Sequence, residues 1–68
     1  MADFQEKLGI RIRARRSQLG LTQDQVADTG VISKKQLSDI ELGKRGIGFE
    51  KMARLSKVLK RSMDWFVK

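Results

Sequence analysis

The sequence predicts an all-α fold: a compact bundle of five short helices forming a single domain over residues 1–68. Three observations predict it. Apolar residues recur at spacings of three and four, the period of one helix face. Strand signals are missing, since no Val/Ile/Thr run alternates and no Asn-Gly or Asp-Gly pair offers a hairpin turn. Small polar residues precede the periodic segments and glycines follow several of them, which is how helices start and stop.

Helix one runs from about Asp3 to Leu19, with a buried stripe of Phe4, Leu8, Ile12 and Leu19, and Gly20 stops it. Thr22 is a good N-cap for helix two (about 22–29), which carries Asp24 in its first turn and Val26 and Ala27 inside. Ser33 caps helix three (about 33–42), and Gly43 ends it. Helix four spans roughly Phe49 to Lys60 on a stripe of Phe49, Met52, Leu55, Val58 and Leu59. Ser62 caps a last short helix holding Met63, Trp65 and Phe66.

Helices two and three meet through about four residues, Thr29 to Ile32, and a small polar residue then restarts the chain. That is the outline of a helix-turn-helix. At about 100° per residue, Leu37 and Ile40 define the inner face of helix three. Glu41 sits beside them, while Lys35 and Asp39 point outward with Ser38, Gln36 and Leu42 on the flanks. A Lys34-Lys35-Gln36 start suits a helix whose first residues enter a DNA major groove. Lys donates to guanine O6 and N7, and Gln pairs with adenine N6 and N7. Two uses are open to Asp39: accepting from a cytosine amino group, or holding Lys35 in an i,i+4 ion pair. We read Lys34, Lys35, Gln36, Ser38 and Asp39 as the base-reading set.

The composition narrows the function classes. The chain has no cysteine and no histidine, so it lacks disulfides, thiolate metal sites and the commonest general base. No nucleophile–base pair or metal constellation stands out, and we expect no enzyme, no cofactor, no metal and no small-molecule ligand. No apolar run exceeds three residues, too short for a membrane span or a signal-peptide core. The expected place is inside the cell. Fifteen Lys plus Arg against eight Asp plus Glu give a net charge of +7. The pI of about 10.4 exceeds the roughly 9 typical of nucleic-acid-binding domains. The charge is not one patch: residues 11–16 hold +4, residues 33–46 hold +2 and residues 50–61 hold +4. Arg11, Arg13 and Arg15 are placed to flank the DNA side, whereas the helix-four set reads as a solvated exterior.

Four stretches carry a resemblance: residues 11–16, residues 20–27 (Gly-Leu-Thr-Gln-Asp-Gln-Val-Ala), Ser33 through Ile40-Glu41-Leu42-Gly43-Lys44-Arg45, and Ser62 to Phe66. Their order and separations resemble the Cro/repressor helix-turn-helix family, which includes the lambdoid phage repressors, over roughly residues 8–66. The resemblance implies a lambda repressor-like fold, a bacterial or phage-encoded cytoplasmic protein acting at the nucleoid, and double-stranded DNA as partner. Gln23 matches the family glutamine that contacts a phosphate and buttresses the recognition helix. The unpaired N–H groups behind Thr22 also suit an anion, so Thr22 and Gln23 join Arg11, Arg15, Lys44 and Arg45 as expected phosphate contacts. Arg16 and Glu41 match a largely buried family ion pair, which accounts for a charge on the inner face of helix three. Three departures stand out, one of them Leu42 where the family commonly has a polar or basic residue. Val31 occupies a turn position where the family has Gly, so the turn is either reshaped or carries Gly30 in that role. Gly46-Ile47-Gly48 lacks a hydroxyl cap before helix four.

Met63, Trp65 and Phe66 crowd into four residues of a chain too small to bury them all, and we expect a homodimer through this last helix and the end of helix four, consistent with the family pattern. Two recognition helices would then lie about 34–36 Å apart on a palindromic operator. With three to five phosphate contacts per subunit, the dimer salt slope would be about 6–9 in magnitude. The function expected is a sequence-specific, dimeric DNA-binding transcriptional regulator, with repression the expected sign. The alternative is an antitoxin or restriction-modification controller type of protein whose role includes binding a protein partner.

Overall fold

A computed structural model describes residues 3–68, so Met1 and Ala2 of the expected domain lie outside the described residues. It holds five helices in the expected order: α1 (Phe4–Gln18), α2 (Gln23–Ala27), α3 (Lys34–Glu41), α4 (Phe49–Val58) and α5 (Met63–Val67). No strand occurs among the described residues. Side-chain caps fix the starts. Asp3, Thr22, Ser33 and Ser62 each accept a backbone N–H from the first turn of their helix, while α4 starts at Gly48 without such a bond.

The helix ends are equally local. Leu21 N donates to Arg16 O, Lys44 N to Asp39 O, and Arg61 N to Ser56 O, closing α1, α3 and α4 with the same pair of reversed bonds. In α4 the residue that must turn left-handed is Lys60, at φ 58°. That turn ends α4 at Val58, two residues before the Lys60 expected from the sequence. Helix α2 is also shorter than expected. The Thr29 hydroxyl donates to Val26 O at 2.7 Å, and Gly30 N to Ala27 O, so the last turn tightens instead of continuing.

The core is built from Leu8 and Ile12 of α1, Val26, Ile32, Leu37 and Ile40 around the helix-turn-helix, Met52, Leu55 and Leu59 of the α4 region, and Phe66 of α5. Two residues assigned to buried stripes are exposed instead. Phe4 is 58% and Phe49 71% exposed, because each is the first residue of its helix and projects past the elements that cover the next turn. Gly9 is buried in the middle of α1. A Cβ there would meet the carbonyl oxygen of Ile40 and sit 2.9 Å from that of Glu41. The missing side chain lets α1 and α3 touch backbone to side-chain-free backbone, so α3 is seated on α1 with little room to shift. Among the described residues no helix is long and apolar enough to cross a membrane.

Candidate nucleic-acid interface

The helix-turn-helix is held at both starts by reciprocal caps. Thr22 Oγ1 accepts from Gln25 N at 3.0 Å, and Gln25 Oε1 accepts from Thr22 N at 2.8 Å. Ser33 and Gln36 repeat the arrangement at the start of α3. Between them the chain reverses at Gly30, whose φ of 82° carries the left-handed step. The turn therefore places its glycine one position before Val31, and a β-branched residue is spared that conformation.

One carboxylate locks three helices together. Arg16 Nε donates to Glu41 Oε2 at 2.7 Å and Arg16 Nη2 to Glu41 Oε1 at 2.9 Å. Gln23 Nε2 from α2 reaches the same Oε1 at 3.1 Å, and Arg16 Nη1 donates to Leu21 O at 2.8 Å. Parallel charged N–H bonds of this kind are among the strongest a carboxylate accepts. The Glu41 hydrogen bond raises the Arg16 pKa above its ordinary value, burial opposes it, and the Glu41 charge adds to the rise. Glu41 is only 7% exposed, yet no buried side-chain polar atom among the described residues lacks a partner. Gln23 thus ties α2 to α3 through Glu41.

The outer face of α3 is open. Lys34 pairs across to Asp24 of α2 at 3.3 Å and remains exposed. Lys35 meets Asp39 at 3.6 Å, the second of the two uses open to Asp39. Ser38 lies half-buried beside Leu42, which is 57% exposed at the C-terminal end of α3. Gln36 is half-buried and engaged within the fold. Its Oε1 accepts from Ser33 N at 3.5 Å and from Lys51 Nζ at 3.2 Å. A bidentate adenine pair needs that oxygen as well as the amide nitrogen, so that reading by Gln36 requires it to exchange these bonds, as Lys35 must exchange Asp39.

Of the expected phosphate contacts, Thr22 and Gln23 stand at the start of α2, and Lys44 and Arg45 are exposed in the loop after α3. Arg11 and Arg15 are not with them. Arg11 Nη1 donates to Phe66 O at 3.1 Å, and Arg15 Nε to Leu59 O at 2.8 Å. Both satisfy carbonyls at helix C-termini, which lack intrahelical partners. The reason is helical phase: Arg11 and Arg15 share the side of α1 that faces α4 and α5, whereas Gly9 and Arg16 face α3.

The expected dimer residues divide as well. Phe66 is 1% exposed and belongs to the core, so it offers nothing to a partner. Trp65 is 36% exposed, packs edge-on to Phe66 at 5.0 Å between centroids, and carries the Arg61 guanidinium 5.4 Å above its ring. Met63 is half-buried against the core. Sequence reasoning missed Gly9 and Gln25. A glycine interrupting an apolar helical stripe signals the first, and Thr-x-x-Gln spacing signals the second.

Residues 12–66 match the helix-turn-helix family. Among solved structures the chain is similar to the DNA-binding domain of BldD from S. venezulae, at 22% identity and a TM-score of 0.86 over 98% of this chain and 100% of that one. At that identity the likeness establishes the fold. No curated protein matches the chain.

Proposed function

The chain belongs to the Cro/C1-type helix-turn-helix family, and from that premise we propose that it regulates transcription as a dimer, each α3 reading one half of a palindromic operator. The observation that carries the reading is the fixed, exposed face of α3. Buried Glu41 pins that helix to α1 and α2, while Lys35, Ser38 and Asp39 remain presented outward. A pre-positioned helix meets base edges without reordering, so less binding energy is lost on association. Lys34 and Lys35 supply donors for guanine. Thr22, Gln23, Lys44 and Arg45 lie where α3's neighbours would meet phosphate.

The dimer sets the geometry of the operator. One copy measures 32 × 23 × 23 Å and has one α3, whereas successive half-sites lie about 34–36 Å apart. Trp65 is the apolar contact we assign to the second copy. Occupancy of the operator would then hinder polymerase, a repressor's mechanism. The test is a gel shift on a random-sequence DNA library with bulk competitor DNA. A subset of sequences should survive competition; if none does, the chain does not read sequence and the protein-partner alternative replaces this one.

A further inference from the structure

Lys51 is the third residue of α4. A cation in the first turn of a helix faces the positive end of the helix dipole, and among the described residues Lys51 makes no ion pair that would offset this. The neighbouring carboxylate, Glu50, pairs with Arg54 at 3.1 Å instead. Lys51 is half-buried and lines a hollow of about 540 Å³ together with Gln36 and Arg45. Across that hollow its ammonium donates to Gln36 Oε1 at 3.2 Å.

That bond decides which way round the Gln36 amide stands. The two groups facing it, Lys51 Nζ and Ser33 N, can only donate, so the oxygen turns to them and both its lone pairs are occupied. The amide nitrogen donates to nothing among the described residues, yet no buried side-chain polar atom there lacks a partner, so Nε2 is open to solvent. At 100° per residue Gln36 follows Lys35 on the flank of the outer face of α3. Its free end therefore belongs to the same face as the outward-pointing lysine.

We infer that Lys51, from outside the helix-turn-helix, fixes Gln36 as a donor-only reader and so turns its preference from adenine to guanine. A free glutamine amide pairs with adenine by donating to N7 and accepting from N6. With its oxygen held, Gln36 has nothing to offer the N6 amino group, and N–H would face N–H. Guanine presents two acceptors, O6 and N7, on the same groove edge, and a donor-only amide suits both. Lys51 is a positioning residue: it acts through Gln36 and touches no base. Its role rests on the DNA reading proposed above and deepens it, naming the base taken at one position and assigning that choice to α4.

The test selects sites from random DNA with wild type, Lys51→Met, Lys51→Arg, Gln36→Ala and the double variant Lys51→Met with Gln36→Ala. Gln36→Ala identifies the position, because preference should be lost there alone. At that position wild type and Lys51→Arg should favour guanine over adenine by at least about fivefold. Lys51→Met keeps the aliphatic stem without the donor and should reverse the order. In the Gln36→Ala background the same change should alter no preference, since its effect runs through Gln36. A stability loss alone would lower affinity for every sequence and leave the order intact. Any base other than guanine in first place for wild type overturns the inference, as does an unreversed order in Lys51→Met. If wild type selects sites and Gln36→Ala changes no position, this inference fails and the DNA reading stands. If wild type selects no site, the DNA reading fails and takes this with it.

Discussion

Arg16 and Glu41 join α1 to α3 through two parallel N–H···O bonds, at 2.7 and 2.9 Å, and the side chain of Glu41 is only 3% exposed. Breaking the pair leaves a charge in the interior. Glu41→Ala should cost about 3 kcal/mol, the lower end of the range for buried pairs because Arg16 retains some access to water. Replacing both partners, Arg16→Met with Glu41→Leu, should recover most of that loss. Chemical denaturation measures both. The pH dependence follows from the raised Arg16 pKa. A raised value contributes stability that is complete below the unfolded-state pKa and lost only as pH rises through the folded-state one. Both lie far above neutral, so this contribution should stay flat from pH 7 to about 11.

Gly9→Ala should destabilise, against the usual trend. A mid-helix Gly→Ala change ordinarily gains about 1 kcal/mol. Here the added methyl meets the carbonyl of Ile40, and overpacking of this kind costs about 1–3 kcal/mol. A variant as stable as wild type would show that α1 and α3 do not approach so closely.

Lys60→Gly should stabilise. Lys60 sits at φ 58°, a conformation that costs a non-glycine residue roughly 1–2 kcal/mol. The gain should raise Tm by roughly 4–8 °C per kcal/mol for a domain of this size. A lowered Tm would mean the α4 C-terminus is not closed through this residue.

Lys35→Ala should weaken binding to the preferred site by about 1–3 kcal/mol and relax the preference at one base position. Lys35 loses only a surface partner, Asp39, on substitution, so the fold should be unaffected. An unchanged preference removes Lys35 from the reading set.

Trp65→Ala and Phe66→Ala should fail in different ways. Phe66 is core, and its truncation should cost about 3–5 kcal/mol of stability. Trp65→Ala should stay folded and sediment as a monomer. A folded, dimeric Trp65→Ala moves the interface away from α5.

Much of this was readable from sequence because helix starts and stops are local. Thr22, Ser33 and Ser62 mark three starts, and Gly20 and Gly43 mark two ends, within one turn of where they act. What depends on the neighbouring element was not readable. Arg11, Arg13 and Arg15 look alike in a basic run, and only the phase of α1 against α4 and α5 separates them. Phe49 and Phe66 carry the same apolar signal, yet the first projects beyond the fold and the second fills its centre. Gln36 has the chemistry to read adenine, and nothing in the sequence shows that in the fold its oxygen also accepts from Lys51, fifteen residues away. Lys60 gave no signal at all, because a lysine at a helix end carries no mark of a left-handed turn.

The most direct measurement is the symmetry and spacing of sites selected from random DNA. Two copies presenting α3 on one face of the duplex should enrich inverted half-sites centred about 10–10.5 base pairs apart. A single asymmetric motif, or no enriched motif, would contradict a dimer reading a palindrome through α3.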